Sequence, residues 1–137
     1  MSAKIPESMH DLLDTNYVTL ATVMPNGQPQ LSIVWCSYDG EYILVNTAQG
    51  RQKEKNMAAR PMATVMCMDP QNPFRWLEVR GTVEEVTTKG ALEHINELAK
   101  AYRGYDSFYG HAVPAEQQET ETRIICKIKP TRVVVFE

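Results

Sequence analysis

Residues 17–47 read YVTLATVMPNGQPQLSIVWCSYDGEYILVNT, and this stretch decides the fold. Tyr17 to Met24 is rich in β-branched residues and ends at Pro25-Asn26-Gly27-Gln28. The Asn-Gly step is a strong hairpin signal. A return strand is expected from Pro29 to Tyr38, and Asp39-Gly40 marks a second tight turn into a strand from Glu41 to Thr47. Connections this short leave almost no choice but antiparallel pairing, so three consecutive strands are expected to form a meander.

Working outward, Gln49 to Arg60 loses its β-branched residues and fills with Lys, Glu, Met and Ala until Pro61, which predicts a short helix. Met62 to Met68 is an apolar run of strand length, followed by the turn-forming segment Asp69 to Pro73. Phe74 to Thr87 alternates, with Gly81 a candidate bulge. From Thr88 to Arg103 the residues Leu92, Ile95, Leu98, Ala99 and Tyr102 recur at helical spacing, with Thr87 or Thr88 available as cap. Gly104 to Gln118 reads as a loop or broken helix. Thr122 to Phe136 alternates as a strand, and its Pro130 requires a bulge or an edge. Before all of these, Pro6 and the spacing of Met9, Leu12 and Leu13 predict a short N-terminal helix. The sum is a single α+β domain over residues 1–137: an antiparallel split β-barrel of about six strands with short peripheral helices. A barrel this small fills its interior with side chains, so a cofactor must bind outside it, in a groove or between subunits.

Composition narrows the function. The 137 residues carry a formal net charge of -3, which removes the general attraction to phosphate backbones expected of a nucleic-acid binder. An interleaved basic and aromatic strand face, as in oligonucleotide-binding barrels, is also missing. Cys36, Cys67 and Cys126 are far apart, odd in number and set in apolar runs, which argues against disulfides and structural zinc and fits packed thiols in a reducing compartment. His10, His94 and His111 are isolated from one another, and no metal site is expected. No stretch approaches the roughly 18 apolar residues of a membrane span, and Met1 to His10 lacks an apolar export core. A soluble, cytoplasmic protein is expected.

Chemistry concentrates in the segment Asn46-Thr47-Ala48-Gln49-Gly50-Arg51-Gln52-Lys53-Glu54-Lys55-Asn56, where a strand ends and a helix begins. Basic residues in a first helical turn oppose the helix dipole unless an anion sits there. Arg51 and Lys53, with helix N–H groups and close approach at Gly50, would make a phosphate site. The same charges also describe a solvated basic helix face. On the strand after the first hairpin, Gln30, Ser32 and Val34 share one face and Leu31, Ile33 and Trp35 the other. Gln30 and Ser32 could hydrogen-bond the edge of a heterocyclic ring, or simply form the polar outer face of a barrel strand. Phe74 and Trp76 follow a proline-rich loop, where aromatics line interfaces or pack in cores.

These pieces together resemble a known family. Asn26-Gly27-Gln28-Pro29-Gln30-Leu31-Ser32, Asp39-Gly40, Arg51-x-Lys53-x-Lys55-Asn56, Arg60-Pro61 and Val79-Arg80-Gly81-Thr82-Val83 occur in the order seen in flavin-binding split barrels related to pyridoxamine 5'-phosphate oxidase. The branch most similar is that of F-420 (deazaflavin)-dependent oxidoreductases. The resemblance implies a homodimer with the cofactor at the subunit interface. Gln30, Ser32 and Val34 would then face the ring, and Asn46, Thr47, Arg51 and Lys53 would hold the phosphate. Lys55, Asn56 and Trp76 match positions near the cofactor. The implied activity is hydride transfer from reduced F-420 to a small unsaturated organic acceptor, with FMN as the alternative cofactor and non-catalytic flavin binding as the alternative role. Vitamin B6 oxidation fits less well: Gln30 and Ser32 replace the arginine and lysine of the oxidases, and Arg51-x-Lys53 replaces their adjacent pair. An F-420 tail would also use basic residues spread along one groove, from Arg51 through Lys53 and Lys55 to Arg60. No catalytic side chain is assigned, because the hydride chemistry belongs to the cofactor.

Overall fold

Seven antiparallel strands form one sheet in a computed structural model that describes residues 2–137. They are β1 (Val18–Val23), β2 (Pro29–Val34), β3 (Cys36–Tyr38), β4 (Ile43–Ala48), β5 (Met62–Asp69), β6 (Asn72–Thr87) and β7 (Arg123–Phe136). Helix α1 (Gln52–Ala59) joins β4 to β5, and α2 (Ala91–Arg103) follows β6. Two 3-10 segments, Glu7–Leu13 and Ala115–Glu119, complete the chain. None of the described helices is long and apolar enough to cross a membrane.

The sheet order is β2-β1-β5-β6-β7-β4-β3. Both hairpins of the opening stretch form as expected, β1 with β2 and β3 with β4. The three-strand meander does not. The run from Pro29 to Tyr38 breaks at Trp35, and its two halves lie on opposite edges of the sheet. This break gives seven strands where about six were expected. Only Trp35 separates β2 from β3, and consecutive Cα atoms lie about 3.8 Å apart. The two edges are therefore held within about two residues of each other there, so the sheet has to curl into a barrel.

Inside, Leu20, Ile43, Val45, Val65, Leu77, Val79 and Ile128 are fully buried, and Met9 and Leu12 of the first 3-10 segment pack against them. Two bulges bend β6 against β7, at Arg80/Gly81 and Val83/Glu85. Gly81 and Pro130 face each other at the first, as their expected bulge positions require. A Cβ on Gly81 would lie 2.6 Å from both Ile128 Cγ2 and the Lys129 carbonyl oxygen, so only glycine fits.

Helix α2 starts three residues later than its pattern suggests, at Ala91 after Gly90. Thr87 does not cap it: its hydroxyl accepts the Lys89 N–H at 3.1 Å, closing the turn before the helix. The outer face of the sheet is apolar along β2 and β5, where Leu31 and Ile33 are 63% and 64% exposed, with Met62, Met66 and Met68 also open to solvent. Through β1, Thr19 links Ile33 to Met66 by strand register, so these side chains share one surface.

Candidate functional site

A cavity of about 270 Å³ opens where β4, the start of α1, α2 and the start of β7 meet the closing residue Trp35. It gathers Val34, Asn46, Thr47, Arg51 and Lys53, five of the residues singled out from sequence. Strand β4 delivers Asn46 and Thr47 side by side, and register pairs them with Ile125 and Ile124 of β7. Arg123 opens β7 opposite Ala48 and adds a third cation. Tyr17, Trp35 and Phe108 form an aromatic wall.

Glu121 organises the charges. Its carboxylate accepts from Arg51 at 3.2 Å, from Arg123 at 3.0 Å and from the Tyr109 hydroxyl at 2.6 Å. Arg123 is only 7% exposed and its guanidinium lies 4.9 Å from the centre of the Phe108 ring. Three cations against one carboxylate leave an excess of two positive charges at the cavity. Lys53 has no ion partner among the described residues, and partial burial lowers its pKa, with repulsion from Arg51 and Arg123 adding to the effect and Cys126 opposing it. The Thr47 hydroxyl is buried without a hydrogen-bond partner. A donor left unsatisfied beside surplus positive charge is the arrangement an anion completes.

Asn46 is fixed by its neighbours. Its Oδ1 accepts from Arg123 Nε at 2.9 Å, so its Nδ2 must face Ala91 O at 2.8 Å and His94 Nδ1 at 3.1 Å. His94 Nδ1 is thereby an acceptor, and the ring proton sits on Nε2, which donates to Ser37 Oγ at 2.9 Å. Ser37 and His94 therefore form a close pair that the isolated histidines of the sequence did not suggest. Its polarity is opposite to that of a nucleophilic serine, because the ring nitrogen facing the hydroxyl already carries the proton. Burial pushes the His94 pKa down to about 4, which keeps the ring neutral.

The positive charge at this cavity comes from side chains, and the helix N-terminus at Gly50 does not offer its N–H to it. The Gly50 N–H already donates to Glu54 Oε1 at 2.8 Å. Nor do the four basic residues line one groove. Lys53 and Lys55 are two residues apart on a helix, about 200° around its axis, and Lys55 is exposed away from the cavity. Arg60 donates to the Val23 carbonyl at 2.7 Å and to Asn56 Oδ1 at 3.1 Å.

Asn56 is fully buried and ties α1 to β1 by donating to Thr22 Oγ1 at 3.0 Å. Thr22 donates on to Gln30 Oε1 at 2.9 Å. Gln30, Ser32 and Val34 lie on the less exposed face of β2, and the Ser32 hydroxyl is the second buried group without a partner. The expected polar outer face is thus inverted, since Leu31 and Ile33 are the exposed pair. Trp76 stacks on Phe136 at 5.5 Å between ring centres and does not line the cavity, and Phe74 is exposed. Sequence reasoning missed Arg123, Tyr17, Trp35 and Phe108. A signal for Arg123 was present: a lone arginine leading the apolar run Ile124 to Cys126, with the carboxylate of Glu121 two residues before it.

None of the curated proteins matches this chain. Among solved structures it is similar to an F420 reductase, with 34% identity, a TM-score of 0.80 and coverage of 95% of this chain and 98% of the other. A conserved hypothetical protein from Mycobacterium tuberculosis shares 22% identity over 99% of this chain and 86% of its own, with a TM-score of 0.68. A heme storage protein from Vibrio cholerae shares the fold at 14% identity and a TM-score of 0.65, over 98% of this chain and 96% of its own. The family model described as pyridoxamine 5'-phosphate oxidase matches residues 5–135. A match over nearly the full length, on a curled antiparallel sheet, places the chain in the pyridoxamine 5'-phosphate oxidase family.

Proposed function

We propose that the cavity holds the phosphate-bearing part of a flavin-type cofactor, F-420 in preference to FMN. The protein, with residues 1–137 as one binding domain, would be a cytoplasmic homodimeric reductase acting on a small unsaturated organic acceptor. One observation carries this reading: Arg51, Lys53 and Arg123 line the same cavity as Thr47, whose buried hydroxyl lacks a partner. A deazaflavin supplies a hydride from its ring carbon, and the 34% identical F420 reductase is the reason for preferring it.

The chain's own contribution is binding and exclusion of water. Lys53 and Arg51 neutralise the phosphate, Thr47 donates to it, and Glu121 keeps Arg123 and Arg51 pointed inward before it arrives. Strand β2 lies on an edge of the sheet, so part of its backbone is free to hydrogen-bond a planar ring, with the Ser32 hydroxyl as a further donor. The exposed Leu31, Ile33, Met66 and Met68 surface is large and apolar, as a dimer contact requires. Stacking two planar molecules in the right orientation is most of what such an enzyme has to do.

Fluorescence titration of the purified protein with F-420 and with FMN tests the reading. F-420 is expected to bind more tightly, and Lys53→Ala to weaken it roughly 10- to 100-fold, the loss of one charge-assisted hydrogen bond. Because the Lys53 pKa is lowered, affinity should also fall as pH rises toward the ordinary lysine range. Unchanged affinity in Lys53→Ala would remove the phosphate assignment. FMN is supported as a second reading by the compactness of the cavity, since neither Lys55 nor Arg60 lines it. Yellow protein from a host that makes FMN but not F-420 would favour that reading, and absence of turnover with either cofactor would favour storage or sensing.

A further inference from the structure

A second cavity, of about 460 Å³, lies between the 3-10 segment Glu7–Leu13, strand β3 and helix α2. Its volume is in the range of small-molecule sites. Its chemistry is the reverse of the first. No lysine or arginine lines it, whereas Asp11, Asp14 and Glu97 do. Asp11 is already matched by Arg75, at 2.8 Å, but Asp14 and Glu97 have no ion partner among the described residues. Leu13, Leu98 and Ala101 supply apolar surface, and Tyr38 and Tyr102 supply two aromatic rings.

The polar centre of this cavity is Ser37. Its oxygen accepts the proton of His94 Nε2, which leaves one lone pair and the hydroxyl hydrogen without a protein partner. A metal ion does not fit, because among the described residues no three His, Cys, Asp or Glu side chains converge. An anion is repelled by the uncompensated carboxylates. A protonated amine suits this lining: Asp14, Glu97 and the Ser37 lone pair are acceptors for its N–H groups, the tyrosine rings suit its charge and the aliphatic surface suits an attached flat group, while the His10 ring is held by the Ile5 carbonyl at 2.8 Å.

We propose that this cavity is a binding site for a small organic cation, an ammonium group carried on a flat apolar body. The two cavities then sort ligands by charge while sharing a wall at Leu98. They are also joined by hydrogen bonds running from Ser37 through His94 and Asn46 to Arg123, so the His94 ring senses the occupant.

The test uses the full chain without cofactor, and variants of Asp14 and Glu97, which line only the second cavity, separate its outcome from the flavin reading. Phenethylamine and its charge-opposite analogue phenylacetate are titrated up to about 10 mM while the His94 ring resonances are followed by NMR. Phenethylamine is expected to shift His94 saturably, and phenylacetate, even where it enters the Arg123 cavity, not to compete with it. Asp14→Asn and Glu97→Gln, both at exposed positions where folding is not at stake, should each weaken the amine about two- to fivefold. Ser37→Ala should remove most of the His94 shift. Competition of phenylacetate with phenethylamine, or undiminished amine binding in the combined Asp14→Asn/Glu97→Gln variant, overturns the proposal, as does the absence of a saturable shift.

Discussion

Replacing His94 by glutamine should flatten the acid side of the stability profile. The ring is 6% exposed and its pKa falls from the ordinary 6.5 to about 4, because burial penalises the imidazolium. A histidine whose folded pKa is depressed binds fewer protons folded than unfolded between those two values. Stability therefore drops as pH falls from 6.5 toward 4 and levels off below. Each tenfold loss of proton affinity corresponds to about 1.4 kcal/mol, so protonating this one ring costs the fold about 3–4 kcal/mol. Asp11 and Glu121 also have depressed pKa values, from 3.8 and 4.5, but their stabilisation is lost only below those values. The interval from pH 6.5 to about 4.5 thus isolates His94. Glutamine retains an N–H to reach Ser37 and cannot titrate. Urea unfolding at half-unit pH steps should show the wild-type midpoint falling across this interval and the variant's staying nearly level. Parallel curves would refute the assignment of a buried, neutral His94 joining Ser37 to Asn46.

Gly81→Ala should destabilise the barrel by about 1–3 kcal/mol in the same assay, since its methyl would press on the backbone of Lys129 as well as on Ile128; an unchanged midpoint would mean the bulge can relax. Ile33→Lys, on the exposed apolar surface, should convert a dimer into a folded monomer by sedimentation velocity, and a monomeric wild type would remove the dimer reading. Cys36, Cys67 and Cys126 are buried, and burial raises all three thiol pKa values, those of Cys36 and Cys126 to about 12. None should react with a thiol reagent at pH 8 until the protein unfolds, so rapid labelling of the native chain would contradict their packing.

What the sequence disclosed depended on how local the physics was. Hairpin turns at Asn26-Gly27 and Asp39-Gly40 are decided by a few neighbouring residues, and both formed. Gly81 and Pro130 announced a bulge because each is intolerable in a regular ladder, although neither could say that it faced the other. The break at Trp35 was illegible, since a strand-like run without a glycine or other turn former at that point looks the same whether or not its halves pair with the same neighbour. At the site, Asn46, Thr47, Arg51 and Lys53 lie within eight residues and were readable together. Arg123 comes from the far end of the chain, and only the pairing of β4 with β7 brings it in. The network around Asn56 shows the converse: a side chain that matches a binding pattern is committed to holding α1 against β1.

That β4–β7 pairing has a consequence for the order in which the protein can be made. Residues 43–48 leave the ribosome about eighty positions ahead of their partners at 123–128. Until β7 emerges, β4 has only the short β3 beside it, and the cation cluster lacks Arg123. The nascent chain can therefore acquire its N-terminal hairpins early, but its cavity and its closed barrel arrive together, after β7 has been made. The positive charge of the cavity is therefore assembled only once both the β4 and the β7 segments have been made.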